Sequence, residues 1–140
     1  LNVTKKGDYP ITVGTGFSVA ELIISPNEIH YTGIEKADVL IAISQNGFDY
    51  TKTKIDDNTF VIADSSIQNL ISSNKLTFDF QKTFGKKNSA ISSLFTLLIL
   101  KNIFPPEAFE NSLHESKHRE KFIQLIEKIK SFLSEINHPA

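Results

Sequence analysis

Ala37-Asp38-Val39-Leu40-Ile41-Ala42-Ile43-Ser44 runs directly into Gln45-Asn46-Gly47. An apolar run this short, without polar alternation, predicts a strand covered on both faces, which in a domain of this size points to a central parallel strand of an α/β sheet. Ligands and partners of such sheets meet the carboxyl ends of the strands. Ser44, Gln45 and Asn46 are therefore the first candidate contact residues.

The rest of the fold is read outward from that run. Upstream, Phe17 to Ile24 is a strand with Phe17, Val19 and Glu21 on one face and Ser18, Ala20 and Leu22 on the other, ended by Pro26. Downstream, the polar segment from Gln45 to Asn58 leads to Thr59-Phe60-Val61-Ile62-Ala63. That segment is just long enough for one short helix, close to the dozen or so residues a parallel crossover needs, so a right-handed βαβ unit follows. Leu76, Phe78 and Phe80 alternate with Thr77 and Asp79, the pattern of a half-buried edge strand. Asn88 is placed to cap a helix from Ser89 to Phe104 that is apolar on most sides. Pro105-Pro106 ends it and opens a short helix near Glu107 to Leu113. A last helix, about Lys117 to Ile136, carries Phe122, Leu125, Ile126, Ile129, Phe132, Leu133 and Ile136 on one stripe. The expected class is α/β: a mostly parallel central sheet flanked by helices, Rossmann-like and three-layered, with a helical C-terminal portion, in a single domain over residues 1–140.

Composition narrows the function classes. With 140 residues, 40% hydrophobic content and eleven Phe, the chain has enough apolar material for a core. A net charge of −1 gives no electrostatic reason to expect nucleic acid or an anionic membrane. There is no Cys, hence no disulfide, thiolate nucleophile or iron–sulfur ligand from this chain. The longest apolar region, Ile91 to Phe104, is broken by Ser92, Ser93, Thr96, Lys101 and Asn102, short of the roughly 18 to 20 apolar residues that span a bilayer. No signal peptide is visible and the sequence starts at Leu1 without Met, so it reads as a cytoplasmic fragment whose beginning lies upstream.

Two further segments are candidates for contact chemistry. Tyr9, Thr12, Gly14, Thr15, Gly16 and Ser18 stand directly before a strand, where glycines allow close backbone approach and hydroxyls with free amides can hold an anion or a partner; a plain structural turn is the alternative. Lys86, Lys87 and Asn88 precede the buried helix, a position that suits a phosphate or a solvated turn. His114 and His118 lie four apart but lack a third ligand at motif spacing, so no metal site is expected. Asp64, after the strand ending at Ala63, occupies a position used for catalysis or ribose contacts, though Asp64-Ser65-Ser66 is read first as a cap or turn. No residue is assigned a catalytic role, because no triad order or paired-carboxylate spacing is present.

The order of segments resembles a known family. Asp8-Tyr9-Pro10-Ile11-Thr12-Val13, then Gly16 to Ile29, then Ala37 to Gln45, with Asn88-Ser89-Ala90 and Ile103-Phe104-Pro105-Pro106-Glu107-Ala108-Phe109 as the closing portion, is similar to the gamma subunit or domain of 2-oxoacid:acceptor oxidoreductases. These are the enzymes that oxidatively decarboxylate pyruvate, 2-oxoglutarate, branched-chain 2-oxoacids or indolepyruvate to the acyl-coenzyme A and pass electrons to ferredoxin or flavodoxin. The likeness covers nearly the whole chain and rests on order and spacing, not on a catalytic string. The Gly-Gly-Gln-Gly turn with which members open has no counterpart here, and Gly14-Thr15-Gly16 stands where many members carry Arg-Gly-Gly.

What the resemblance implies is a division of labour within a hetero-oligomer. Thiamine diphosphate and the iron–sulfur clusters would sit on alpha-, beta- and ferredoxin-like delta-type subunits or domains, and coenzyme A would approach from a side where the gamma domain takes part, this chain binding no cofactor alone. Catalysis would then belong to the complex, with the isolated chain inactive. The alternative from another class is a stand-alone α/β module that binds a nucleotide or other phosphorylated ligand through Ser44 to Gly47, Asp64 and Lys86-Lys87.

Overall fold

The computed structural model describes residues 2–8, 19–29, 34–101, 107–108, 111 and 119–136. They belong to two compact units, Leu1–Thr77 and Phe78–Ala140. The class is α/β, with a parallel strand pair, helices and a long C-terminal helix.

The first unit contains two sheets. In one, β1 (Asn2–Asp8) runs antiparallel to β2 (Val19–Ser25), with Val3 opposite Ile24 and Lys5 opposite Leu22. In the other, β3 (Val39–Ala42), β4 (Phe60–Asp64) and β5 (Lys75–Phe78) lie in the order β3-β4-β5. β3 and β4 are parallel, pairing Leu40 with Val61 and Ala42 with Ala63. The crossover between them holds α1 (Gln45–Thr51) and a 3₁₀ turn at Lys52–Lys54, as the length of the polar segment predicts.

One expectation is corrected here. The strand at 37–44 was expected at the centre of the sheet, yet among the described residues β3 is an edge strand and β4 is the central one. Burial follows position: Leu40 and Ala42 are buried while Val39 and Ile41 are half-exposed, whereas Val61, Ile62, Ala63 and Asp64 are all buried. An apolar run reports hydrophobicity, and both strands have it; only the pairing decides which is covered on both faces. Among the described residues β2 stands outside the parallel sheet. It pairs with β1, whose polar sequence Asn-Val-Thr-Lys-Lys-Gly-Asp carries no alternation that would announce a strand.

The core of this unit gathers Leu40, Ala42, Phe48, Val61 and Ala63, with Ile55, Ile67 and Leu70 packed against it. Phe48 is the one buried residue of α1 and fastens the crossover to the sheet face shared by Leu40 and Val61. Thr59, fully buried at the entry to β4, donates its hydroxyl to Ala37 O at 2.6 Å and accepts from Asp56 N–H at 3.0 Å. Phe60 N–H donates to Asp38 O at 2.9 Å. These bonds set the register of the parallel pair before its ladder begins. Lys54, in the 3₁₀ turn, forms an ion pair with Glu21 on β2, which ties the antiparallel ribbon to the crossover.

The second unit is helical. α2 (Phe80–Phe84) begins where the alternation Leu76, Phe78, Phe80 predicts strand to continue. Phe80 is fully buried and its ring meets Phe78 edge-on at 5.4 Å, a contact a helical turn allows as readily as a strand. A 3₁₀ turn at Lys86–Asn88 leads into α3 (Ser89–Lys101). Ser89, Ser92, Ser93 and Thr96 of α3 are buried, and each hydroxyl donates to a carbonyl three or four residues back, at 2.7–2.8 Å. Back-bonding of this kind satisfies small polar groups inside a helix interface without a partner side chain. α4 (Arg119–Ile136) packs on α3. Its stripe is the one read from the sequence: Leu125, Ile126, Ile129 and Leu133 are buried and Phe122 and Phe132 half-buried. Phe132 stacks on Phe78 at 3.8 Å between ring centres. The proposed helix near 107–113 falls largely outside the described residues.

Because the apolar stripe of α4 is docked, replacing Ile129 and Phe132 together by Asp buries charge without a partner, one of the few substitutions that cost more than about 4 kcal/mol. Circular dichroism of the double variant is expected to show loss of helical signal and of a cooperative melt; a native spectrum would place the stripe on the surface.

Candidate functional site

The carboxyl ends of β3 and β4 carry Ser44, Gln45 and Asp64. Ser44 ends the β3 segment with extended backbone and caps α1: its Oγ accepts from Gly47 N–H at 3.1 Å, and Phe48 N–H donates to Ser44 O at 3.0 Å. A Cβ at Gly47 would stand 3.0 Å from Ser44 Oγ, so a larger residue there would push on the cap. Gln45 reaches across to the loop that follows β4. Its Oε1 accepts from Gln68 N–H at 2.7 Å and its Nε2 donates to Gln68 O at 3.2 Å, so one side-chain amide clasps both polar groups of a single residue. Pairing with a donor and an acceptor fixes the orientation of that amide. Nε2 also donates to Asp49 Oδ1 at 3.0 Å, one helical turn on.

Asp64 closes β4 from the other side. Its carboxylate is 3% exposed and accepts from the Ser66 N–H at 3.1 Å and the Ser66 hydroxyl, while Ile67 N–H donates to Asp64 O at 3.1 Å. This is the turn anticipated for Asp64-Ser65-Ser66, made with the side chain of the aspartate. The loop then passes Gln68 in the clasp and Asn69, whose φ of 64° lies in the left-handed region that asparagine tolerates.

Of the residues singled out from the sequence, the structure thus brings Ser44 and Gln45 together with the loop after Asp64; Asn46 is exposed on the first turn of α1. Lys86, Lys87 and Asn88 belong to the second unit, where the two lysines are exposed. Asn88 was expected to cap α3. Instead it is the last residue of the 3₁₀ turn, and its Nδ2 donates to Phe84 O at 3.3 Å, closing the end of α2 beside Gly85 with φ 86°. Tyr9, Thr12, Gly14, Thr15, Gly16 and Ser18 lie outside the described residues, as do His114 and His118. Among the described residues no group of three or more His, Asp or Glu could hold a metal ion. No described helix is long and apolar enough to cross a membrane.

Sequence reasoning missed Gln68 and its neighbour Ile71, which is 90% exposed. A signal was present. Ile67, Leu70 and Ile71 are the apolar residues of the loop after β4, one more than the core takes up. Ile67 and Leu70 pack against the core, and Ile71 faces water. No protein-family model matches the chain, and no curated protein matches it significantly.

The cap and Gly47 form a coupled pair whose sign can be measured. Ser44→Ala is expected to cost about 1 kcal/mol. Gly47→Ala in that background is expected to stabilise by about 0.5–1 kcal/mol through helix propensity, but to gain little in the wild-type background, where the new methyl displaces Ser44 Oγ. Urea denaturation of the four proteins checks the coupling; equal gains in both backgrounds would show that Ser44 does not cap α1.

Proposed function

We propose that this chain is the gamma-type subunit or domain of a 2-oxoacid:acceptor oxidoreductase, a complex that converts a 2-oxoacid to the acyl-coenzyme A with electron transfer to ferredoxin or flavodoxin. The observation that carries the reading is the order and spacing of Asp8 to Val13, Gly16 to Ile29 and Ala37 to Gln45, with the closing segments from Asn88 onward. The α/β class and the β3–α1–β4 crossover agree with it.

The chemistry of the side chains supports a role beside a catalytic centre. A chain without Cys offers no thiolate to an iron–sulfur cluster. Thiamine diphosphate and the clusters are accordingly assigned to the alpha-, beta- and delta-type subunits, where the cofactors supply the carbanion and electron-transfer chemistry. This chain would contribute surface and position, with coenzyme A approaching near it.

At the strand ends, Ser44 caps its own helix, Asp64 shapes its own turn, and Gln45 alone reaches from one strand end to the loop after the other. A side chain used to fix a loop serves recognition by making the surface rigid. That use fits a subunit interface better than a stand-alone nucleotide site, whose polar groups would converge on a common cavity.

Purification of the native full-length protein tests the assignment. An alpha- or beta-type subunit is expected to co-elute in stoichiometric amount, and the pooled complex to oxidise a 2-oxoacid in the presence of coenzyme A. A protein that elutes alone would contradict the assignment. So would a shift of several degrees in melting temperature with a nucleotide at about 100 times its dissociation constant, since binding to the native state alone stabilises by about 2.7 kcal/mol.

A further inference from the structure

Asn46-Gly47 is the only Asn-Gly pair in the sequence, and it stands where β3 hands over to α1. Asn46 is exposed on the first turn of that helix. With no Cβ at position 47, nothing shields the backbone nitrogen that follows the asparagine side chain, and the backbone there turns freely once the helix opens. In the folded chain the same nitrogen is held. Gly47 N–H donates to Ser44 Oγ at 3.1 Å, and Phe48 N–H donates to Ser44 O at 3.0 Å across the same turn. A reactive pair and the contact that restrains it therefore lie together within Ser44 to Gly47.

We propose that Asn46 is a site of spontaneous deamidation, gated by the opening of the first turn of α1. In the opened turn the Gly47 nitrogen attacks Asn46 Cγ. A bond forms between them, the Cγ–Nδ2 bond breaks, and Nδ2 leaves as ammonia with the proton that the Gly47 nitrogen gives up. The cyclic succinimide then takes up water. Opening at one carbonyl gives an aspartate at position 46; opening at the other leaves the main chain running through the side-chain carbon, an isoaspartate. Nothing is oxidised or reduced, and water is the sole co-reactant. The step needs no partner chain and does not depend on the assignment proposed above.

The structure sets the rate through this turn. Helical backbone at Asn46 turns the Gly47 nitrogen away from Cγ, and Ser44 engages its hydrogen, so attack requires α1 to open from its first residues. α1 is seven residues long, and a helix that short draws its stability from its caps and its packing. Its one buried residue, Phe48, lies just past the reactive pair. Local opening is fast beside deamidation, so the rate follows the population of the open turn. The two products differ in effect. No acidic residue stands in the first turn of α1, so an aspartate at position 46 adds a charge that the helix dipole favours. An isoaspartate adds a carbon to the main chain inside the ring that Phe48 N–H closes on Ser44 O, which breaks that turn and loosens the hold of Gln45 on Gln68.

The experiment incubates the full chain at neutral pH, folded and in urea, and follows the peptide that holds Asn46 by mass spectrometry for the wild type, Ser44→Ala and Gly47→Ala. The wild-type peptide is expected to gain the mass of deamidation in both states, about ten- to a hundredfold more slowly when folded. Ser44→Ala is expected to speed the folded reaction about fivefold and to leave the rate in urea unchanged. Gly47→Ala, whose methyl shields the attacking nitrogen, is expected to suppress conversion in both states. Asn88, half-buried before Ser89 with its amide bound to Phe84 O, is expected to stay unmodified in the folded chain. The wild type alone supplies a second measurement: protection of its Gly47 amide against hydrogen exchange should match the slowing of deamidation within about threefold, because both pass through the same opening. Of the two products, separated by chromatography, the isoaspartate form is expected to melt below the wild type and the aspartate form not to. Conversion in the folded wild type slower than about a thousandth of that in urea would show the pair sealed by the fold and overturn the proposal. Equal folded rates for the wild type and Ser44→Ala, or deamidation out of proportion to Gly47 protection, would overturn the gating by α1.

Discussion

The parallel pairing of β3 with β4 is the constraint on which the first unit depends. Two parallel strands cannot be joined by a tight turn, so residues 45–58 must leave the sheet, cover it and return in register. Phe48 provides the covering contact, and Thr59 the return, bonding Ala37 O and Asp56 N–H at the point where β4 enters beside β3. Each of these is a buried group with its polar atoms satisfied, as a low-dielectric interior demands. Remove the parallel pair and neither α1 nor the loop after Asp64 has a place.

The same topology places the polar side chains. Parallel strands end on the same side, so Ser44-Gln45 after β3 and Asp64-Ser65-Ser66 after β4 are neighbours by construction. Here one bridge joins them, from Gln45 to Gln68 in the loop after β4. Ser44 spends its Oγ on the helix cap, Asp64 organises a turn, and Gln45 crosses from one strand end to the other. The outcome is a loop after β4 tied to the helix after β3, at the position where α/β proteins meet ligands and partners.

How much of this the sequence disclosed depends on the range of the interaction involved. The β3 and β4 segments, the helix between them and the buried stripe of α4 are local patterns of hydrophobicity and length, and each was legible in the positions of Val39 to Ala42, Val61 to Ala63 and Leu125 to Leu133. Which strand is central was not legible, because both are apolar and only pairing with β5 distinguishes them. β1 was invisible for a related reason: Asn2–Asp8 carries no apolar alternation, and only its ladder to β2 reveals it as a strand. The change of Phe80 from strand to helix, and of Asn88 from the cap of α3 to the closure of α2, are cases where one residue fits two local structures and the tertiary contact chooses. At the candidate site, Ser44 and Gln45 were readable from the end of an apolar run. Gln68 was not, since its role exists only through a residue far away in sequence.

Amide hydrogen exchange on the full chain, comparing the wild type with Gln45→Ala, tests the claim that the crossover and the loop after β4 are fastened together through that one side chain. The Gln68 amide donates to Gln45 Oε1, so its loss should speed exchange at Gln68 by about fivefold or more, the equivalent of roughly 1 kcal/mol, while the Val61 and Ile62 amides at the centre of the sheet stay protected as before. Equal exchange at Gln68 in the two proteins would contradict the account, as would loss of protection at Val61 and Ile62 together with it.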